Sequence, residues 1–353
     1  MSKRLVICCD GTWNRADQPE PTNVVRIKDA LAPKGTDGLE QRVHYNPGVG
    51  TRRWEMLRGG AFGFGLSEDV RSVYRFLVEA FDPGDELFFF GFSRGAYTAR
   101  SAVGLVRNCG ILRREHSGRV DEAYELYRSK RTADKPRGEE AERFRSSYAH
   151  ATPVHFVGAW DTVGALGIPV PRGALLAPLA RRLNRRWAFH DTELSSHVKA
   201  AFQALAIDEK RGPFEPTIWT PRDGAPGQRR EQVWFSGVHS DVGGGLARHA
   251  LADVSLAWMA DCARDCGLAF AQDAFRDAAP DPCGPLHASR TGLWRLLRPY
   301  VRQLGVKDPA CEFAASSALE RTEKLSGYRP ANLARYLEDP ENAGRIRPVR
   351  LSG

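Results

Sequence analysis

Three side chains in this 353-residue chain have the types and the order that ester chemistry needs. Ser93 sits in Gly91-Phe-Ser-Arg-Gly95 and Asp161 in Gly158-Ala-Trp-Asp-Thr-Val-Gly164. His239 sits in Phe235-Ser-Gly-Val-His-Ser-Asp-Val-Gly-Gly-Gly245. A serine hydroxyl is a weak nucleophile until a histidine takes its proton and a carboxylate orients that histidine. The G-x-S-x-G spacing places the serine on a strained strand-to-helix turn, where glycines two residues to either side let neighbouring backbone pass. The helix that follows directs its unpaired N–H groups and positive end at the reaction centre. The Arg94 amide is then one oxyanion donor, and the amide of Gly11 or Thr12, in Asp10-Gly-Thr-Trp-Asn14, is the second.

Other residues compete for these roles. Asp208 also closes an apolar run (Ala204-Leu-Ala-Ile207) and is the rival acid, although Asp161 ranks first. Asp10 and Asp241 are candidates to line the site, while the plainer reading has each holding its own loop through hydrogen bonds. The phosphatase pattern D-x-D-G-T fails because Cys8 stands where its first aspartate belongs. Asp10, Asp161 and Asp241 lack the spacing of a metal-ligand set, and the reaction requires neither a metal nor an organic cofactor. His44 and His155 lie within strand runs and read as packed residues; His190, His197 and His249 read as surface residues.

These side chains need a sheet to present them. Apolar runs at Leu5–Cys9, Arg42–Tyr45, Leu87–Phe90, Val154–Trp160, Ala204–Ile207 and Val233–Phe235 alternate with helical periodicities, the pattern of an α/β fold with a mostly parallel sheet flanked by helices. Ser93, Asp161 and His239 all follow strand runs, so their loops gather at one edge of that sheet. Thr22 caps a helix through Leu31. Glycines 59, 60, 63 and 65 suggest a loop, with Ser67 capping the next helix. The charged, helix-periodic stretch 113–150 reads as a helical cap insertion, and a second insertion is expected near 168–200. The expected division is a catalytic domain over 1–267 and an extension over 268–353 packed on it.

Composition bounds the partners. With 42% hydrophobic and 27% charged residues, wholesale disorder, collagen-like and coiled-coil architectures are excluded. No apolar run reaches the 18 or so residues of a membrane span. The apolar stretch at the amino terminus is too short for a signal peptide. The expectation is therefore synthesis in the cytoplasm, followed by retention there or contact-dependent delivery. Seven cysteines without a CxxC pair speak against a disulfide framework or zinc site. Lys+Arg 51 against Asp+Glu 43 gives a net charge of +8. Aromatic residues are not interleaved with the basic ones, which argues against nucleic acid. An anionic membrane surface is the remaining functional partner. Leu293, Leu296, Leu297, Tyr300, Val301 and Leu304 form one helical stripe beside Arg295, Arg298 and Arg302, and 172–187 repeats the pattern. The plainer reading packs both stripes on the core and leaves the arginines solvated.

Asp10-Gly-Thr-Trp-Asn14, Gly48-Val-Gly-Thr51, Gly91-Phe-Ser-Arg-Gly-Ala-Tyr-Thr-Ala-Arg100, Trp160-Asp-Thr-Val-Gly164 and Val238-His-Ser-Asp-Val-Gly-Gly-Gly245 together resemble the class-one catalytic-domain family of type VI secretion lipase effectors. The resemblance runs from Leu5 to about Ala260. It implies an α/β-hydrolase fold and an ester or phospholipid substrate, with the nucleophile on Ser93, the histidine on His239 and the acid on Asp161. The expected activity is that of a serine esterase of phospholipase type; a soluble carboxylesterase or thioesterase is the first alternative, and a non-catalytic basic protein that binds membrane or nucleic acid ranks below it.

Overall fold

A computed structural model gives the fold of residues 2–12, 14–48, 61–164, 194–220, 226–296, 298–342 and 344–351, and the description below concerns these residues. Eight strands form one sheet: β1 (Lys3–Cys9), β2 (Glu40–Asn46), β3 (Glu86–Phe92), β6 (Val154–Trp160), β7 (Val198–Ala206), β8 (Arg229–Phe235), β9 (Glu312–Ala315) and β10 (Ile346–Arg347). Their spatial order is β10-β9-β8-β7-β6-β3-β1-β2, and every neighbouring pair is parallel. Continuous apolar runs such as Leu5-Val-Ile-Cys-Cys9 and Leu87-Phe-Phe-Phe90 suit strands covered on both faces.

Alternation along those strands divides the interior in two. Val6, Cys8, Phe88 and Phe90 face a layer that includes α1 (Asn23–Ala30) and α7 (Ala250–Asp265), with Val24, Ile27, Val254 and Met259. Leu5, Ile7, Cys9, Leu87 and Phe89 face α2 (Ala61–Ala80) and α3 (Arg94–Cys109). The 113–150 stretch contains α4 (Val120–Arg128) and α5 (Glu139–Tyr148), whose Val120, Ala123, Tyr124 and Phe144 join this second layer against α3. An antiparallel pair, β4 (Ile111–Leu112) with β5 (Ala149–His150), ties the ends of that stretch together. Thr22 caps α1 by accepting the Val25 amide.

Three readings of the sequence need correction. Helix α2 begins at Ala61, so Gly63 and Gly65 lie inside it and Ser67 is not its cap. The roughly 1 kcal/mol cost of each helical glycine is offset by burial of Leu66, Val70, Val73, Tyr74 and Leu77. The region expected as an extension over 268–353 supplies β9 and β10, strands the sequence runs did not include, which extend the sheet beyond β8. The 290–303 stripe is not an α-helix. Only a short 3-10 turn forms at Gly292–Leu296, since Pro299 can neither donate to a helical ladder nor leave Arg298 comfortable in the helical region. Gly59, Gly60, His190, the 172–187 stripe and most of the expected 168–200 insertion lie outside the described residues.

The chain leaves β1 toward β2 on one side, then returns to place β3 on the other. Such a reversal opens a crevice at the carboxyl ends of the two central strands. Asp10-Gly11 and Ser93 occupy those ends.

Candidate active site

Ser93 stands between β3 and α3 with φ 57° and ψ −122°, a conformation that costs a non-glycine residue about 1–3 kcal/mol. The surroundings enforce it. The Ser93 amide donates to the Trp160 carbonyl at the end of β6 (3.0 Å). A Cβ on Gly95 would lie 2.2 Å from the Cys9 carbonyl oxygen and 2.3 Å from that of Asp10, and one on Gly91 would lie 2.5 Å from the Ala96 Cα. Both glycines are therefore demanded by close backbone approach, which is what lets α3 begin directly beneath the serine.

His239 opens α6 (His239–Gly243), the short helix after β8. Its Nε2 is 2.8 Å from Ser93 Oγ and its Nδ1 is 2.5 Å from Asp161 Oδ2. With the proton on Nδ1, the ring donates to Asp161 and accepts from the serine hydroxyl. The ring is flanked by Phe92 (centroids 4.6 Å apart) and, edge to face, by Phe214 (5.0 Å). Its backbone amide donates to Glu209 Oε2 (3.3 Å).

Asp161 follows β6 with φ 42°, fully buried, its amide bonded to the Ala204 carbonyl. Besides His239, its carboxylate accepts the Ala206 amide (3.1 Å) and two guanidinium nitrogens of Arg302 (2.6 and 3.0 Å). Burial pushes this carboxyl up. The Arg302 charge, with the hydrogen bond and charge of His239, outweighs that and holds it well below the usual carboxylate range. Arg302 is itself buried, and it also donates to the carbonyls of Ala206 (2.8 Å) and Phe214 (2.6 Å).

The remaining candidates separate from this trio. Asp208 accepts the Gly237 amide and the Tyr328 hydroxyl, both at 2.8 Å, and burial raises its carboxyl. Asp10 accepts from the Gly11 amide (2.7 Å), Thr22 (2.9 Å) and Tyr45 (2.8 Å), again with burial raising its carboxyl. Asp241 accepts the Val238 amide (3.0 Å) and pairs with His287 Nδ1 (2.5 Å). Asp10 and Asp241 thus hold loops. They do not gather with Asp161 as a metal-ligand set, and no such set of His, Cys, Asp or Glu occurs among the described residues. His44 is half-buried and stacks on Phe76 (4.2 Å), and His155 approaches Lys199 (2.7 Å). His197 is exposed, and His249 pairs with Asp253 (2.9 Å).

One oxyanion candidate needs correction. The Gly11 amide is engaged by the Asp10 carboxylate, which leaves Thr12 the available donor in that loop. The Thr12 amide has no hydrogen-bond partner among the described residues, and its buried hydroxyl has none either. Gly11 packs directly against the serine, with an added Cβ falling 3.2 Å from Ser93 Cβ. Arg94 is the first residue of α3, at the positive end of the helix.

Sequence reasoning missed Arg302, Phe214 and Arg211. Arg302 was placed on a solvated helix face; it is a buried partner of Asp161 instead. Arg211 binds Glu209 through two nitrogens (2.8 and 2.9 Å) and lies 3.6 Å over the Phe214 ring. The one available hint was Pro299, which breaks the helical stripe that made Arg302 look peripheral.

Residues 3–262 match the family described as type VI secretion system phospholipase effector Tle1-like, catalytic domain. An uncharacterized protein of Saccharomyces cerevisiae, YEL023C, is 29% identical over 241 residues, which cover 62% of this chain and 33% of that protein. Among solved structures, an uncharacterized protein from Pseudomonas aeruginosa is similar at 17% identity and TM-score 0.44, over 79% of this chain and 48% of the other. The Tle1 effector bound to the VgrG spike of the type VI secretion system is similar at 19% identity and TM-score 0.35, over 69% and 51%. The chain thus spans a third of the curated relative and about half of these two structures. On the match over residues 3–262, the chain belongs to the Tle1-like phospholipase effector catalytic-domain family.

Proposed function

We propose that this chain is a serine hydrolase that cleaves carboxylic esters of phospholipids through an acyl-enzyme. The observation that carries the reading is the hydrogen-bonded line Ser93–His239–Asp161, with the serine on a strained elbow at the crevice of the sheet. His239 Nε2 takes the hydroxyl proton as Ser93 Oγ attacks the ester carbonyl, a contribution of about 10²–10⁴-fold. Asp161 keeps the other ring proton on Nδ1 and offsets the charge of the imidazolium. The Arg94 and Thr12 amides stabilise the tetrahedral oxyanion, each donor contributing about 10²–10³-fold. The leaving alcohol collects the proton from Nε2. Water then enters, gives its proton to the same nitrogen and releases the acid. No step draws on a metal or cofactor.

Family membership supports a phospholipid as the substrate and contact-dependent delivery as the route. Among the described residues no helix is long and apolar enough to cross a membrane. We read the segment 295–307 as the part that meets the lipid: Leu296 (83% exposed), Val301 (57%) and Val306 (59%) are exposed there together with Arg295, Arg298 and Lys307. Apolar side chains among cations suit an anionic bilayer, at about 1 kcal/mol per basic residue near the surface.

The test pairs a fluorophosphonate probe with vesicles of phosphatidylglycerol. The wild type should be labelled and should release fatty acid, while Ser93→Ala should do neither and keep its circular dichroism spectrum. Turnover by a folded Ser93→Ala variant would sink the reading. Hydrolysis of short soluble esters with vesicles untouched would replace the phospholipase by a carboxylesterase or thioesterase.

A further inference from the structure

We propose that Arg302 is a positioning residue of the active site, supplied by a segment outside the matched family region, which holds Asp161 aimed at His239 and Phe214 against the imidazole. The proposal rests on the serine-hydrolase reading above.

The geometry is specific. One guanidinium, about 1% exposed, reaches three separate parts of the chain. Nη1 donates to Asp161 Oδ1 (2.6 Å) and the Ala206 carbonyl (2.8 Å); Nη2 donates to Asp161 Oδ2 (3.0 Å) and the Phe214 carbonyl (2.6 Å). Asp161 therefore meets a planar fork edge-on, an arrangement that fixes the carboxylate plane as a point charge would not. His239 Nδ1 bonds to the same Oδ2. Without the fork the carboxylate keeps, among the described residues, the Ala206 amide and the imidazole, and it can turn about its Cβ–Cγ bond.

Stability alone is a poor account of this pair. Desolvating two charges costs about as much as their attraction returns, so an apolar pair of similar volume would hold the fold equally well. What the guanidinium adds is a certain anion beside the histidine. Among the described residues, the polar and charged groups around His239 are Ser93 after β3, Asp161 after β6 with Arg302 behind it, and Glu209 after β7, which accepts the His239 backbone amide and is paired with Arg211. Arg302 is the cation in direct contact with the acid. Deprived of it, a buried carboxyl shifts toward protonation. A protonated acid next to Nδ1 favours the wrong imidazole tautomer.

Arg302 also joins the acid to the aromatic ring beside the imidazole. By holding the Phe214 carbonyl it fixes the turn that sets the Phe214 ring edge-on to His239. The segment is anchored on both sides: the Tyr300 amide donates to the Lys210 carbonyl (2.9 Å), and the amides of Gly305, Lys307 and Asp308 converge on the buried Glu312 of β9. The family match ends at residue 262, so this clamp comes from the part of the chain that adds β9 and β10.

The experiment compares wild type, Arg302→Met and Arg302→Lys on a short-chain p-nitrophenyl ester across pH, with fluorophosphonate labelling and thermal melts of each. Arg302→Met should lose about 10²-fold or more in kcat, the scale of a 1 Å misplacement, with a smaller change in KM. The acid limb of its kcat/KM profile should move up toward neutral pH. Arg302→Lys should recover the pH profile more fully than the rate, because it restores charge without the fork. A folded Arg302→Met with wild-type kcat and an unmoved acid limb overturns the proposal. If Arg302→Met does not fold, Arg302→Lys decides: a wild-type rate contradicts the need for a fork, and a tenfold or greater loss at an unmoved melting temperature supports it. Absence of Ser93-dependent labelling in the wild type would instead sink the serine-hydrolase reading itself.

Discussion

The ends of β6 and β7 lie side by side and each presents an aspartate at the same edge of the sheet, Asp161 buried and Asp208 half-buried, yet the two carboxylates have opposite surroundings. Asp161 meets a guanidinium and an imidazole, and its carboxyl is held well below the usual range against the effect of burial. Asp208 meets a backbone amide and a tyrosine hydroxyl, and burial raises its carboxyl despite both bonds. Neutral donors tie a loop down. They do not guarantee an anion. On the serine-hydrolase reading proposed above, the acid must offset an imidazolium in every cycle and needs a cation in contact with it; among the described residues Asp161 has one in Arg302. The sequence motif shared by the two sites, an aspartate closing an apolar run, carries no information about that difference.

Replacing one acid at a time separates the two sites. Asp161→Asn should lower kcat/KM by about 10⁴-fold, the loss expected when the acid of a triad becomes an amide and the imidazole tautomer reverses. Steady-state hydrolysis of a soluble ester, read beside an unchanged circular dichroism spectrum, checks this. Asp208→Asn should stay within about 0.5 kcal/mol of wild type in transition-state stabilisation, roughly twofold in rate, since an amide oxygen still accepts from Gly237 and Tyr328. A large loss in Asp208→Asn alone would reverse the assignment.

A smaller effect should appear in stability against pH, with opposite signs at the two sites. The folded-state pKa of Asp161 is depressed, so its contribution is present above the unfolded value of about 4 and is lost as pH falls through the folded value. The folded-state pKa of Asp208 is raised, so ionisation there costs stability as pH rises above about 4 toward the folded value. Urea titrations from pH 3 to 7 should therefore show Asp208→Asn gaining on the wild type as pH rises. A gain as pH falls would contradict the reading of Asp208 as a half-buried acid held by neutral donors.

Much of the central architecture was legible because it rests on local rules. Leu5–Cys9, Leu87–Phe90 and Val154–Trp160 are apolar runs that only a doubly covered sheet can bury, and Thr22 is a side-chain cap that announces its helix. Glycines at 91 and 95 betray the elbow, since a Cβ at either would strike backbone. What escaped depends on distant partners. β9 is four residues long and carries the buried Glu312, whose carboxylate is satisfied by Trp234 and by amides of the preceding turn. A charged residue in so short a run does not read as a strand. Arg302 escaped for a related reason. In a chain with 51 basic residues, Pro299 breaks the stripe around Arg302 but does not say that this arginine folds back onto Asp161. The same limit explains the Gly11 amide, whose capture by its own neighbour Asp10 depends on how Thr22 and Tyr45 orient that carboxylate.

If Ser93 attacks under the control of His239 and Asp161, its acyl adduct can be trapped. Intact-protein and peptide mass spectrometry after brief exposure to a slowly hydrolysed p-nitrophenyl ester should find one acyl group, on the peptide containing Ser93. Its formation should be slowed by about 10²-fold or more in His239→Ala. An adduct on any other residue, or acylation of Ser93 at the wild-type rate without the histidine, would contradict the account.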